Sequence, residues 1–286
     1  METILRSQGR EVTIGADRPF VVIGEKINPT GRKKLAAALE AHRLEVVQEL
    51  AQAQVEAGAD VLDVNVGAAG VDERALLPEA VRLVAEIVDV PLCLDSADRE
   101  ALAAALAVAP GKPLVNSVSG EPASLERVLP VVREFGAAVI GLTLDEGGIP
   151  PDAEKRLAIA GRILEHAARM GIPAENVIID PLVLTVGADS QAARVTLETI
   201  ELVRREFGVN LSLGASNVSF GLPERPTINQ AFLTLGIAAG ATCAITDPAK
   251  LTPTIRATDL LLGRDPYAAR FIQHWRSRAS RGVDQA

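Results

Sequence analysis

The chain has 286 residues, of which 48% are hydrophobic and 23% are charged, a composition typical of a globular protein with one large domain or two small ones. The formal net charge is -8, and the longest basic run is the short cluster at residues 32–34. Because nucleic-acid-binding proteins carry extended basic surfaces, we expect no nucleic-acid partner.

The N-terminal segment, residues 1–19 with the run TILRSQGREVTIGAD, predicts a short β-hairpin ahead of the main domain. It lacks the charged and then apolar pattern of a signal peptide. The most apolar stretch, residues 231–245, is shorter than a membrane span and is interrupted by Gly236 and Gly240. We therefore expect a cytoplasmic protein with no membrane segment.

Eight short runs rich in apolar and β-branched residues follow and predict eight strands. They span residues 20–28, 61–67, 91–96, 113–120, 137–145, 176–182, 210–219 and 241–248. The stretches between them, such as residues 35–59, place apolar residues three and four apart, which is typical of amphipathic helices. Residues 265–281 predict a terminal helix.

The alternation of strands and helices predicts the fold. Strands that are apolar on both faces and are each followed by a helix form a parallel sheet, and eight such units favour an α/β fold with a closed (β/α)₈ TIM barrel. No linker divides residues 20–286, so a single barrel domain is expected. The alternative is a doubly wound open sheet, which usually has fewer units and a glycine-rich turn after its first strand; this chain has GEKIN there.

Polar side chains collect where the predicted strands end, and in a barrel these positions meet at the C-terminal mouth, which holds the active site of barrel enzymes. They are Glu25, Asn28, Asp63, Asn65, Asp95, Asn116, Asp145, Asp180, Asn217 and Asp247. Helix capping or turn formation is a good explanation for Asp145 and Asp247. Asn116, Asp180 and Asn217 have apolar neighbours, and a buried polar group needs a partner that a ligand can supply.

The predicted mouth holds little positive charge, with only Lys26, Arg225 and Lys250 placed to reach it. Carboxylates and amides favour an uncharged heterocycle with an amide and amino edge over a sugar phosphate.

Seven motifs in order carry a resemblance to a known family. They are GEKINPTG, LDVNVG, LCLDS, NSVSGE, GLTLDEGGIP, IIDPLVL and GASNVSFGLPERP. From about residue 20 to about residue 262 the chain resembles the pterin-binding methyltransferases, which include methyltetrahydrofolate:corrinoid protein methyltransferases and the folate-binding module of cobalamin-dependent methionine synthase. The resemblance implies transfer of the N5 methyl group of methyltetrahydrofolate to the Co(I) corrinoid of a partner protein, or the reverse, by a homodimer.

The resemblance also implies roles for individual residues. Asp95, Asn116 and Asp180 match residues that hydrogen-bond the pterin, and Asn217 matches the one that approaches N5. An amide N–H there would stabilise the departing nitrogen without ionising, either by relaying a proton or by hydrogen bonding alone.

Three residues of the last motif, Gly214, Ser216 and Arg225, are further expected substrate-binding residues. Arg225 is either a partner of the substrate's glutamate or pterin edge or a solvated loop charge. Phe220 stands where some relatives have Gln, so the corrinoid partner is left open.

The remaining polar residues do not predict a metal centre. His42, His166 and His274 lie in separate helical stretches, and Cys93 and Cys243 lie in apolar runs where buried reduced thiols are expected. The chain has no corrinoid-binding signature, so the corrinoid is expected on the partner.

Three different functions remain open from the sequence. A dihydropteroate synthase-like enzyme would share the pterin barrel but would require different first and last loops. A pterin-binding protein without turnover has the same motifs. An aldolase-like barrel would use Lys26 for a Schiff base.

Overall fold

The computed structural model of the chain describes residues 1–280, in which eight parallel strands close into a barrel. The barrel strands are β3 (Val21–Ile27), β4 (Val61–Val64), β5 (Leu92–Asp95), β6 (Leu114–Ser119), β7 (Ala138–Leu142), β8 (Val177–Asp180), β9 (Asn210–Gly214) and β10 (Cys243–Thr246). β10 pairs with both β9 and β3, which closes the sheet and excludes the doubly wound fold. The predicted TIM barrel is confirmed.

Ten helices surround or follow these strands within residues 1–280. They are α1 (Lys33–Glu40), α2 (Glu45–Glu56), α3 (Glu73–Ile87), α4 (Arg99–Leu106), α5 (Pro122–Phe135), α6 (Ala153–Arg169), α7 (Ala192–Phe207), α8 (Arg225–Ala239), α9 (Pro248–Leu261) and α10 (Ala269–Ala279). Eight of them, α2 to α9, alternate with the barrel strands, whereas α1 precedes α2 and α10 follows the barrel.

The stretch with helical spacing at residues 35–59 forms two helices, because the structure divides it into α1 and α2. His42 adopts a left-handed backbone with φ of 53°, and the N–H of Arg43 donates to the carbonyl of Ala38. Such a turn ends a helix by satisfying its last carbonyls. The predicted terminal helix is a 3₁₀ turn at Pro266–Ala268 and then α10, and Arg281 lies outside the described residues.

The predicted N-terminal hairpin is confirmed. β1 (Glu2–Arg6) pairs antiparallel with β2 (Glu11–Gly15). Its apolar face packs Leu5 and Ile14 into the interior of the barrel, beside the side chains at the N-terminal ends of the strands. The amide of Asn210, at the start of β9, donates to Thr3 Oγ1 (2.9 Å) and to the Ile14 carbonyl (3.0 Å). The hairpin therefore closes the end of the barrel opposite the mouth.

Strand side chains alternate between two cores. Outward side chains such as Val22 and Leu62 pack under the helices, and inward ones such as Ile23 and Cys93 fill the barrel. This alternation is why strands of a parallel barrel are apolar on both faces. Cys93 and Cys243 are free and buried, as predicted, and burial raises the pKa of both thiols.

The apolar inner core does not extend to the C-terminal ends of the strands, where polar residues line the mouth. Asn116 of β6 stands opposite Asp95 of β5 in the register of these two strands, and β6 shifts its register against β7 between Asn116 and Val118. Within residues 1–280, no helix has both the length and the apolar character needed to cross a membrane.

Candidate functional site

A cavity of about 380 Å³ opens at the C-terminal mouth of the barrel, a size suited to a small organic ligand. It is lined by Glu25, Asn28, Thr30, Arg32, Asp63, Asp95, Asn116, Gly214, Ser216, Asn217 and Ile245. These residues come from β3, β4, β5, β6, β9 and β10 or from the segments that follow them. The structure thus brings together five of the seven sequence-predicted site residues: Asp95, Asn116, Gly214, Ser216 and Asn217.

Two amide–carboxylate pairs form the floor of this cavity. Asn116 Nδ2 donates to Asp63 Oδ1 (3.2 Å), and Asn65 Nδ2 donates to Asp95 Oδ2 (2.9 Å). Asn65 is held at both ends, because its Oδ1 also accepts from the N–H of Gly67 (2.8 Å). Since Asn116 points its amino group at Asp63, its carbonyl oxygen remains available to a donor on a ligand.

Burial makes the carboxyl groups of Asp63 and Asp95 weaker acids than usual. Burial, followed by the charge of Asp95, raises the pKa of Asp63 to about 8. Burial also raises the pKa of Asp95. Within residues 1–280 neither carboxylate forms an ion pair with a cation. Two neighbouring buried carboxylates resist ionising together, so near neutral pH Asp63 keeps its proton.

Asn217 lies on a 3₁₀ turn, Ala215–Ser219, that directly follows β9. Ala215 and Val218 are buried and anchor the turn, whereas Asn217 is exposed at the cavity. Its carboxamide makes no hydrogen bond to residues 1–280. A Cβ on Gly214 would come within 3.1 Å of Asn217 Nδ2, so glycine leaves this amide room. The amide is therefore free to meet a ligand.

Asp180 ends β8 and is buried, with Oδ1 accepting from the N–H of Leu182 (2.8 Å). Burial raises its pKa to about 7. The buried Arg156 shapes the following loop by donating to the carbonyls of Pro181 (2.8 Å) and Leu182 (2.9 Å). Asp180 is not among the residues that line the mouth cavity.

Arg225 lines a second cavity of about 260 Å³, which shares Glu25, Arg32 and Ser216 with the first. It donates to the Ser216 carbonyl (2.8 Å) and to Ser219 Oγ (3.1 Å), and its guanidinium lies 5.7 Å from the centre of the Phe220 ring. Ser216 Oγ in turn donates to Glu25 Oε2 (3.1 Å). Arg225 therefore holds the loop that carries Asn217.

Asp247 and Asp145, for which the sequence favours helix capping or turn formation, have these roles in the structure. Asp247 accepts from the N–H of Ala249 (3.2 Å) at the start of α9 and pairs closely with Lys26. Asp145 accepts from the N–H of Gly147 (3.0 Å) and pairs with Arg162. Neither lines the mouth cavity.

Sequence reasoning missed several residues of the site. Arg32 contributes a cation to both cavities, although in the sequence it stands out only as part of a short basic run; it follows β3 closely and donates to the Lys26 carbonyl (2.8 Å). Asp63 and Asn65 are recognisable as strand-end residues, but their pairing across strands is not apparent from the sequence. In the part of the chain from residue 1 to residue 280, no cluster of three or more His, Cys, Asp or Glu side chains is arranged to hold a metal ion.

Comparison with known proteins places this cavity in context. A family model described as pterin binding enzyme matches residues 24–247, a span that includes all seven sequence-predicted site residues. The chain is 33% identical over 265 residues to a methylcorrinoid:tetrahydrofolate methyltransferase of Eubacterium limosum, covering 90% of this chain and 96% of that protein. It is 31% identical over 258 residues to methionine synthase of Mycobacterium tuberculosis, of which it spans only 22%.

Solved structures resemble the chain in fold. A Yersinia pestis dihydropteroate synthase with a sulfonamide drug complex aligns with a TM-score of 0.70 at 17% identity, covering 91% of this chain and 99% of that one. A Xanthomonas albilineans dihydropteroate synthase in complex with 7,8-dihydropteroate aligns with a TM-score of 0.67 at 20% identity, covering 91% and 98%. At these identities the likeness extends to the barrel alone.

Proposed function

Since the chain belongs to the family of pterin-binding enzymes, we propose that it is a methyltransferase that moves a methyl group between N5 of tetrahydrofolate and the corrinoid of a separate protein. The observation that carries the proposal is the mouth cavity, in which the carboxamide of Asn217 faces the same space as the buried Asp63 and its hydrogen-bond partner Asn116. The methyltransferase of Eubacterium limosum, whose name states this pair of substrates, aligns with the chain over nearly its whole length.

The floor of the cavity suits the polar edge of a pterin. A pterin presents ring N–H and exocyclic amino donors beside a carbonyl oxygen and ring nitrogen acceptors. The carboxyl group of Asp95 accepts from such donors, and the Asn116 carbonyl oxygen, left open by the bond to Asp63, accepts another. Each charge-assisted bond contributes about 1.5–3 kcal/mol. We propose Asp180 as a further acceptor once it loses its proton.

Asn217 is proposed to act at N5. Tetrahydrofolate is a poor leaving group unless the lone pair that develops on N5 is stabilised as the methyl group departs. The Asn217 amide is exposed at the cavity and has no partner among the described residues, so its N–H can donate there without ionising. A preorganised donor of this kind accelerates a reaction by about 10² to 10³-fold, provided that its bond strengthens in the transition state.

The corrinoid, when a partner presents it, supplies the cobalt centre that accepts or donates the methyl group. The residues present fit such an arrangement, because Asn217 is exposed at the cavity and Phe220, three residues further along the same loop, is 68% exposed and open to a second protein. We also propose that the chain forms the homodimer that its family resemblance implies.

A methyl-transfer assay tests the proposal. The protein is mixed with methyltetrahydrofolate and a reduced corrinoid protein or free Co(I) cobalamin, and the Co(I) absorbance is followed. Loss of the Co(I) signal that requires both protein and methyltetrahydrofolate is expected. If the signal persists while the protein binds methyltetrahydrofolate, the chain is a pterin-binding protein without this activity.

Dihydropteroate synthesis and aldolase chemistry have less support. The dihydropteroate synthases resemble the chain only in fold. An aldolase-like mechanism needs a lysine free to form a Schiff base, and Lys26 is held in a close ion pair with Asp247.

A further inference from the structure

The second cavity forms a basic annex beside the mouth. We use this name for the space of about 260 Å³ bordered by Lys26, Arg32, Arg225 and Lys250, with the carboxylates Glu25 and Asp247 on its wall. It lies between the segment after β3 and the N-terminal turns of α8 and α9. Four cations against two carboxylates leave it positively charged, in a chain whose formal charge is -8.

The charges within the annex are unevenly paired. Asp247 serves two lysines, with a close contact to Lys26 and a distance of 3.8 Å from Oδ2 to Lys250 Nζ. Arg32 and Arg225 instead donate only to neutral oxygens, those of Lys26, Ser216 and Ser219. Neither guanidinium pairs with a carboxylate within residues 1–280.

A partly buried guanidinium without a counter-ion is a ready partner for an anionic group, because its forked donors match a carboxylate or a phosphate. Two of them share one small cavity here. The annex therefore has the chemistry of an anion site.

The annex is continuous with the mouth cavity, since Glu25, Arg32 and Ser216 line both. A ligand whose heterocycle occupies the mouth can thus extend an attached chain into the annex without leaving the protein surface. Tetrahydrofolate has such a chain, a p-aminobenzoyl group that ends in glutamate, and further glutamates add one carboxylate each.

We propose that the basic annex binds the carboxylates of the folate tail, so that the protein prefers folates with several glutamates over the monoglutamate. This inference rests on the proposed function and deepens it by naming the form of the substrate. Arg32 and Lys250 are the residues that distinguish the forms, because both face the annex, and Arg32 also faces the mouth.

A phosphate group is the other source of the same chemistry. The annex lies by the segments after β9 and β10, the seventh and eighth barrel strands, where barrel proteins often bind phosphate. The tail is favoured because the adjoining cavity carries carboxylates and amides that suit a neutral heterocycle. A phosphate-selective annex would bind inorganic phosphate without any dependence on glutamate number.

Calorimetry with methyltetrahydrofolate carrying one or three glutamates tests the inference. The triglutamate is expected to bind about tenfold more tightly, as one added charge-assisted contact would give, and the advantage is expected to shrink in high salt. Equal affinity of the two forms would overturn the inference, and so would competition by inorganic phosphate combined with no glutamate preference.

Variants locate the effect. Arg32→Gln and Lys250→Gln should each reduce the preference for the triglutamate. Lys33→Gln is the matched control, because it removes the same charge one residue beyond Arg32 from an exposed side chain outside the annex. A preference that survives in Arg32→Gln combined with Lys250→Gln would assign the tail to another surface and overturn the inference.

A tetrahydropterin without a tail separates this inference from the proposed function. It should bind wild type and the Lys250→Gln variant equally well. If it binds and the glutamate series shows no trend, only the tail site is wrong. If neither it nor any folate binds, the proposed function fails as well.

Discussion

Asp60 and Asp63 are only three residues apart, one just before β4 and one within it, yet their carboxyl groups have opposite surroundings at the two ends of the barrel. Asp60, just before β4, accepts from the N–H of Val22 (3.1 Å) and pairs with Arg256 (3.2 Å), Arg270 (3.1 Å) and Arg10 (3.4 Å). Asp63, within β4, accepts from the amide of Asn116 and forms no ion pair with a cation within residues 1–280.

The difference shows which end of the barrel is built for stability and which for a ligand. At the N-terminal end a buried carboxylate is fully partnered by the chain itself, so it ties the hairpin, β3, α9 and α10 together. At the mouth Asp63 and Asp95 form no ion pair within residues 1–280, and burial raises the pKa of Asp63, Asp95 and Asp180. Buried polar groups left incompletely paired by the protein are favourable places for ligand contacts.

The largest expected effect comes from removing the charge at the partnered end. Asp60→Asn leaves the buried Arg256 beside two other arginines without their shared carboxylate. Breaking a buried ion pair on one side costs about 3–5 kcal/mol, so the free energy of unfolding in urea should fall by that amount. Pterin affinity should remain close to that of wild type under conditions where the variant is folded. A loss below about 1 kcal/mol would mean that the arginines stabilise the barrel end without Asp60.

At the mouth, Asn217→Ala should slow methyl transfer by about 10² to 10³-fold while changing the dissociation constant for methyltetrahydrofolate little. The reason is that the amide is proposed to act on N5 as the methyl group leaves. Single-turnover kinetics and calorimetry separate the two quantities. Asn217→Asp keeps the size of the side chain and removes the N–H donor, so it should be slow as well. A fast Asp variant would assign Asn217 a role in shape alone.

Asp180→Ala should act on binding instead, weakening methyltetrahydrofolate by about 10 to 10²-fold through the loss of charge-assisted hydrogen bonds. The pKa of Asp180 is about 7 in the free protein, and a pterin N–H donor binds the ionised form. Affinity should therefore fall up to about tenfold per pH unit below pH 7, with proton release on binding. Asp180→Asn should weaken binding and reduce this pH dependence. A pH profile that Asp180→Asn leaves unchanged would contradict the assignment.

The smallest expected effect is that of Asp63→Asn, which should raise the free energy of unfolding, whereas Asp60→Asn should lower it. Burial raises the folded-state pKa of Asp63 to about 8, above the unfolded value of about 3.9. The folded protein therefore binds more protons than the unfolded chain between those pH values, and its stability falls as the pH rises through that window. Asp63→Asn keeps an acceptor for Asn116 and removes this titration. It should stabilise the protein by on the order of 1–2 kcal/mol at pH 8.

Urea unfolding at pH 5 and pH 8 measures this effect. The free energy of unfolding should fall from pH 5 to pH 8 by more in wild type than in the Asp63→Asn variant. Together with Asp60→Asn it makes a matched pair of isosteric substitutions three residues apart at β4. If both destabilise the protein at pH 8, the contrast between the two barrel ends is wrong.

Much of the fold followed from local pattern. Eight apolar runs predicted the eight barrel strands, because a strand buried on both faces must be apolar at every position. The break between α1 and α2 was not predictable in the same way, since residues 35–59 keep a helical spacing of apolar residues throughout. His42 ends α1 by a left-handed turn that the spacing does not encode.

The site was predictable in part. Strand ends located the mouth, and five of the seven predicted residues line one cavity there. The bonds from Asn116 to Asp63 and from Asn65 to Asp95 join residues 53 and 30 positions apart, a distance over which sequence spacing carries no information about contact. The position of Arg32 in the lining of the cavity likewise depends on contacts between residues far apart in the sequence.

The sequence by itself determined the number of strands, the end of the barrel where polar groups gather, and the family motifs, because each depends on short-range order along the chain. Only the tertiary structure decided which carboxylates form ion pairs with arginine or lysine. Closing the barrel sets the two ends of every strand in different surroundings: arginines from the hairpin, α9 and α10 reach Asp60, whereas Asp63 has the Asn116 amide and Asp95 for neighbours.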